Sequence, residues 1–328
     1  MRKILLLCIT ALVSYSWAIP CWAVKIKIGV IAPEGTTWAN NLKAMTKEID
    51  EQTKGEVEFK IYYGGSQGDE PDVLRKTYAG QLHGGFFTGK TLGEINGDVR
   101  VFEVPFTFYS DHVKAGKVIA KLTPLMNAEF EKKNFTNLGF FELGPVYLVS
   151  RKEVKNLDDL KKLKLWSWQG DLLANALIES MDLNSVPLAL PDVLSSLSTG
   201  IIDAAYSPPL AVVAMQWHSK VKYLVDFPVS YATGAMLITS KIWREVKKEH
   251  QVIVRQVSQK YLSKVNDGNA QENLDALSTM KSMGIQVIKM SDADIEKAKA
   301  IRGKIVKKLE GPLFSKKAFE AFEAARKD

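Results

Sequence analysis

The sequence predicts an α/β protein of two lobes. Three observations carry this. Strand and helix patterns alternate from Lys25 onward, which is the signature of strands crossed over by helices in a largely parallel sheet. A second strand–helix–strand–helix unit lies between Lys152 and Tyr223, and from Tyr231 the chain returns to a strand, ATGAMLITS, that belongs with the first unit. The chain has 328 residues, long enough for two separate cores.

The N-terminus precedes this fold. Arg2 and Lys3 are followed by an apolar run from Ile4 to Val13, then by a stretch ending Cys21-Trp22-Ala23. This is the pattern of a secretory signal peptide cut after Ala23, placing the mature chain in the periplasm. The run is about half the ~20 residues a membrane span requires. Pro20 precedes Cys21 where a lipoprotein signal needs a small residue, which favours a soluble exported chain. Both cysteines, Cys8 and Cys21, fall inside this leader, so the mature chain has no thiol for a disulfide, nucleophile or metal site.

Lys25 to Ile31 (KIKIGVI) reads as the first strand. A helix over Thr37–Gln52 places Leu42, Met45 and Ile49 on one face, and Thr53-Lys54-Gly55 ends it. Glu56 to Tyr63 alternates like a strand. The turn Gly64–Gly68 leads to a helix from Pro71 to Ala79, and Leu82 to Thr88 is a short buried strand. The loops after these strands, Ala32–Thr37, Gly64–Asp69 and Phe87–Lys90, lie where ligands gather in open α/β sheets. A long helix or helix pair runs from Lys241 to Met283. Gly284 terminates it, Ile285–Met290 is a last strand, and Ser291 caps a helix carrying Ile295, Ala298, Ile301, Ile305 and Leu309. One lobe is expected over residues 24–150 plus 231–290, the other over 151–230. Residues 291–328 should form helices packed on both.

The net charge of +7 lies wholly in residues 241–328, which hold 19 Lys and Arg against 12 Asp and Glu. Export argues against nucleic acid as the partner of this basic segment, which reads as a solvated helix face. Histidines 83, 112, 218 and 250 are scattered without metal-ligand spacing. Gly64-Gly65-Ser66-Gln67-Gly68 fits the G-x-S-x-G elbow of serine hydrolases, but no Asp–His pairing can be read beside it.

The segment WSWQGD is the most informative. Alternation along a strand puts Trp166 and Trp168 on one face, Leu165 and Ser167 on the other. Two indoles offer a flat apolar wall, stacking surface and two N–H donors, or alternatively a core.

Five segments in order, KIKIGV, TKGEVEFKIYYGGSQGDEPDVLRKTYAG, VPFTF at Val104–Phe108, the stretch around WSWQGD, and GIIDAAYSPP, resemble the periplasmic solute-binding proteins of TRAP transporters, the DctP family. The resemblance covers nearly all of the mature chain. It implies a two-lobed periplasmic-binding-protein-like (Venus-flytrap) fold with a hinge and cleft. It also implies a small organic ligand, delivery to TRAP membrane permease subunits, and no catalysis, cofactor or metal. The protein is expected to act as a monomer. That family normally places a carboxylate-binding arginine where this chain has Trp166, a second basic residue near Gly144–Leu148, and an asparagine where this chain has Ser207. On this basis Trp166, Trp168, Tyr206 and Ser207 are ligand-binding candidates. Glu34, Trp38, Phe87 and Thr88 join them from the first-lobe loops, and Asp171 is a candidate whose plainer role is to cap a helix. The expected ligand has apolar or aromatic surface. The alternative is an organic acid held by Lys90, Arg75 or Arg100.

Overall fold

The computed structural model describes residues 23–327, so the predicted leader, Ala23 apart, lies outside the described residues together with Cys8 and Cys21. The first elements follow the predicted order with ends within two residues: β1 (Val24–Gly29), α1 (Thr37–Gln52), β2 (Val57–Tyr62), α2 (Glu70–Tyr78) and β3 (Gly84–Thr88). Each helix start has a local cause. The Thr36 side chain accepts from the Ala39 N–H to cap α1, and Asp69 with Asp72 forms a reciprocal capping box on α2. The α1 face of Ala39, Leu42, Met45 and Ile49 is buried.

The chain continues through α3 (Gly89–Ile95), a 3-10 segment at Gly97–Glu103, α4 (His112–Lys132) and the long strand β4 (Phe135–Ser150). The second unit comprises α5 (Leu157–Leu160), β5 (Leu165–Trp168), α6 (Leu172–Ser180), β6 (Ser185–Leu188), α7 (Val193–Thr199), β7 (Ala204–Ser207) and α8 (Pro209–Ala214). Then β8 (Tyr223–Thr239) returns, followed by α9 (Ser240–Glu245), α10 (Lys248–Ser282), β9 (Gln286–Ile288), α11 (Asp292–Leu309) and α12 (Lys316–Lys327). The Ser291 side chain caps α11, and Gly284 follows α10 with a φ of 89°.

The nine strands among the described residues join one sheet, in the order β2-β1-β3-β8-β4-β7-β5-β6, with β9 beside β8. The sheet is mixed, where the sequence suggested a largely parallel one. Its outer groups, β2-β1-β3 and β7-β5-β6, are internally parallel, but β8 and β4 in the middle are antiparallel to each other and to their outer neighbours. The reason is connectivity: β4 carries the chain out of the first half and β8 brings it back. The return strand begins at Tyr223, eight residues before the expected Tyr231, because it runs on through Pro228, where the pairing with β4 slips between Val225 and Ser230 but resumes on both sides.

Each half has its own apolar packing. In the first, β1 and α1 contribute Ile26, Ile28, Leu42 and Met45 to a cluster shared with Val254 and Leu262 of α10. In the second, Trp166, Val193, Leu197 and Trp217 pack on one face of β5, and Leu165, Leu160 and Ile178 on the other. The strand alternation read from WSWQ is therefore realised. Helix α11 lies against α6 and α12 against α4. Among the described residues no helix is long and apolar enough to cross a membrane, and no group of His, Cys, Asp and Glu could hold a metal ion.

Candidate functional site

The C-terminal ends of β1, β3, β5 and β7 face one another across the crossing strands, and a cavity of about 240 Å³ lies there. Its wall is overwhelmingly apolar. From the first half come Thr36, Trp38, Thr88 and Lys90; from the second, Trp166, Trp168, Asp171, Tyr206 and Ser207.

Trp166 is the centre of the apolar wall. Only 2% of its surface is exposed, and its Nε1–H donates to the Leu188 carbonyl at 3.1 Å. Tyr206 stacks on it at 4.9 Å, Trp217 meets it edge-on at 5.5 Å, and Trp168 lies 6.0 Å away. The indole thus belongs to a core cluster and to the cavity wall at once. The Trp168 backbone N–H donates to the Tyr206 hydroxyl at 3.2 Å, and burial pushes the Tyr206 pKa well above the ordinary phenol value. Tyr206 therefore remains a neutral phenol.

The polar end of the cavity is organised by Arg100, which is 3% exposed. Its Nη2 reaches Asp171 Oδ1 at 2.8 Å and Oδ2 at 3.0 Å, and its Nη1 lies 3.1 Å from Glu103 Oε2. Burial alone would lower the Arg100 pKa, but the Asp171 and Glu103 carboxylates outweigh it and hold the guanidinium charged. Glu103 in turn accepts from the Thr233 N–H at 2.8 Å; burial raises its pKa and Arg100 opposes the rise. Asp171 fills two roles, since it also accepts from the Leu173 and Ala174 N–H groups and so caps α6. Lys90 is buried and paired with Glu94 at 2.6 Å. The wall holds two basic residues, Lys90 and Arg100, against three acidic ones, Glu103, Asp171 and Glu272.

The other candidates divide. Trp38 lies on the wall, packed on Phe86 and Phe141, with its indole N–H buried and without an acceptor. Thr88 is on the wall, where its N–H and hydroxyl both donate to Glu70 Oε2, at 2.7 and 3.0 Å. Phe87 is fully buried in the core and Glu34 stands exposed opposite Lys43, so neither lines the cavity. Arg75 is a surface residue paired with Asp72. Ser66 is exposed on its turn and has no histidine partner among the described residues.

Three participants were not singled out from the sequence. Glu103 and Glu70 are buried acids, and burial pushes the Glu70 pKa up to about 8. A signal existed for Glu103, since Arg100 and Glu103 frame the apolar pair Val101-Phe102 at a spacing of three. The third is α10. Asn273 Nδ2 donates to the Leu143 carbonyl at 2.7 Å while its Oδ1 accepts from the Leu210 N–H at 3.0 Å, tying β4 to α8. Asn269 likewise holds the Glu142 carbonyl.

A family model described as bacterial extracellular solute-binding protein, family 7 (DctP), matches residues 28–311. The chain belongs to this family. A solute-binding protein of Chromohalobacter salexigens is 25% identical over 225 residues, covering 66% of this chain and 65% of that relative. Among solved structures, a TRAP periplasmic solute-binding protein from Desulfovibrio salexigens with bound orotic acid superposes with a TM-score of 0.84. It is 19% identical and the match covers 93% of this chain and 99% of that one. One from Xanthobacter autotrophicus Py2 with bound β-D-galacturonate also gives 0.84, at 17% identity over 92% and 99% of the two chains. At these identities the likeness establishes the two-lobed binding-protein fold of DctP members for this chain, and no more than the fold.

Proposed function

We propose that this DctP-family chain is the exported binding component of a TRAP-type transporter. It captures a small organic ligand between its lobes and passes it to membrane permease subunits without chemical change. The lobes are taken as residues 24–150 with 231–290, and 151–230, with the C-terminal helices bracing both. A ligand closes such a protein only by the extra affinity it has for the closed state.

The ligand is proposed to carry apolar or aromatic surface and no obligatory carboxylate. One observation carries this reading: Trp166 forms the cavity wall at the place where the family resemblance calls for a carboxylate-binding arginine. The pairing of Arg100 and Lys90 with acids of the protein itself supports it, because an incoming carboxylate would have to displace those partners. Apolar walls then supply desolvation energy and a few polar groups fix orientation. A second reading, an organic acid on Arg100 or Lys90, is favoured by the presence of both residues on the wall and by the acids bound in the related structures.

Native mass spectrometry of the purified exported protein, followed by denaturing extraction of any bound molecule, tests the two. An uncharged apolar or aromatic compound lost in Trp166→Ala is the expected result. A simple organic acid whose retention depends on Arg100 would replace the first reading with the second.

A further inference from the structure

The cavity is not confined to one face of the second-half sheet. Trp166, Trp168, Leu190 and Met215 belong to the cluster on one face of β5. Leu148, Leu160, Leu165, Leu177, Ile178 and Met181 belong to the cluster on the other face, beneath α6, and they line the same cavity. A continuous space reaches both faces round the ends of the strands or through a gap in the sheet. The sheet is open beside β5: that strand pairs with β6 at four positions but with β7 at one, Leu165 with Ala204. Beyond that point the two strands are joined through a side chain, the Tyr206 hydroxyl that accepts from the Trp168 N–H. Tyr206 packs against both clusters, as a residue standing in the opening must.

Building on the reading above, we infer that the space beneath α6 is a subsite for an unbranched aliphatic tail. The ligand class is then a linear amphiphile. Its uncharged hydrogen-bonding head rests near Arg100, Asp171 and Ser207, and its chain passes Tyr206 into the second-half interior. The chemistry of the two ends differs as this requires. The arm beneath α6 is lined by aliphatic and thioether side chains, whereas the polar lining comes from Lys90 and Arg100 of the first half and from Asp171 and Ser207, at the start of α6 and the end of β7. The head is uncharged because the acids on the wall already occupy the Arg100 guanidinium.

The test is a binding series of primary alcohols from 1-butanol to 1-dodecanol, read by quenching of tryptophan fluorescence in the full mature protein. Affinity should rise about three- to fourfold per added methylene, then level off once the arm is full. Leu177→Phe, which adds bulk to the arm at a half-buried position, should bring the plateau to shorter chains while leaving 1-butanol within about twofold; Met181→Phe is the equivalent change should the first variant fold poorly. An affinity that does not depend on chain length, or a plateau that neither variant moves, overturns the tail subsite. 2-Phenylethanol, which needs only the Trp166 wall, separates the two proposals. If it binds while the alcohol series is flat, the tail subsite fails and the aromatic cleft stands. If every uncharged probe fails while galacturonate binds, both fall.

Discussion

Arg100 and Asp171 stand 71 residues apart in sequence and meet at 2.8 Å across the cavity, one from the segment after β3, the other at the start of α6. The pair joins the two halves of the sheet. It also means that the most prominent cation of the cavity is neutralised by the protein before any solute arrives.

Asp171→Asn isolates this contact, because asparagine retains the cap on α6. Removing one partner of a buried ion pair costs about 3–5 kcal/mol, less whatever Arg100 regains by opening to water. The variant should show a larger radius of gyration by small-angle X-ray scattering and a lower urea midpoint. Scattering identical to the parent protein would show that the pair does not hold the halves together.

Trp166→Arg restores the residue type that the family resemblance calls for, and it should still fail to create an acid carrier. The new guanidinium would lie among Trp217, Tyr206 and Leu188 at a site 2% exposed, with Asp171 already committed to Arg100. Burying an unpaired charge there should cost a few kcal/mol. Thermal unfolding should show the loss, and titration calorimetry with galacturonate should show no heat of binding. Acquired galacturonate binding would contradict the account.

Glu70 sets a pH dependence. Its folded pKa of about 8, raised by burial, lies above the ordinary value of 4.5. Between these values the folded chain keeps a proton that the unfolded chain releases, so this group's contribution is fully present below pH 4.5 and is lost as pH rises to about 8. The slope is at most about 1.4 kcal/mol per pH unit. Glu70→Gln keeps an acceptor for Thr88 and removes the titration. Its stability relative to the parent should therefore increase from pH 5 to pH 8 in urea titrations, and a constant difference would count against it.

Gly89 is close-packed against the Glu103 carboxylate, which a β-carbon at that position would overlap. Gly89→Ala should cost about 1–3 kcal/mol as an overpacked site. The displaced Glu103 should also loosen its hold on Thr233 and Arg100, which would show as faster hydrogen exchange at the Thr233 amide. Unchanged exchange there would mean that the strain is absorbed elsewhere.

Much of the fold was legible because its causes are local. The bounds of α1, the Ser291 cap, the Gly284 terminus and the shared face of Trp166 and Trp168 all follow from spacing and capping within a few residues. The mixed sheet was not, since the direction of β8 against β4 depends on partners about 90 residues distant. Among the candidate residues, Trp166, Trp38 and Asp171 line the cavity. Phe87 does not, because strand alternation alone cannot say which face of β3 turns to the cleft. Glu70 was hidden because an acid in the first turn of a helix ordinarily marks an exposed N-terminus, and only the contact with Thr88 reveals its burial.

The two crossing strands have a mechanical meaning. β4 and β8 remain hydrogen-bonded to each other through both halves, and their register slips at Asn137/Gly139, Glu142/Gly144 and Val146/Leu148. Irregularities of this kind are where a ladder bends. Opening of the proposed carrier would therefore flex a continuous two-ply ribbon, closer to a leaf spring than to a pin joint. Asn269 and Asn273 clamp that spring at Glu142 and Leu143, beside its middle irregularity. Its stiffness, and with it the rate at which the proposed carrier would let go of a solute, is a property that a change at Asn273, which is not among the residues lining the cavity, can tune.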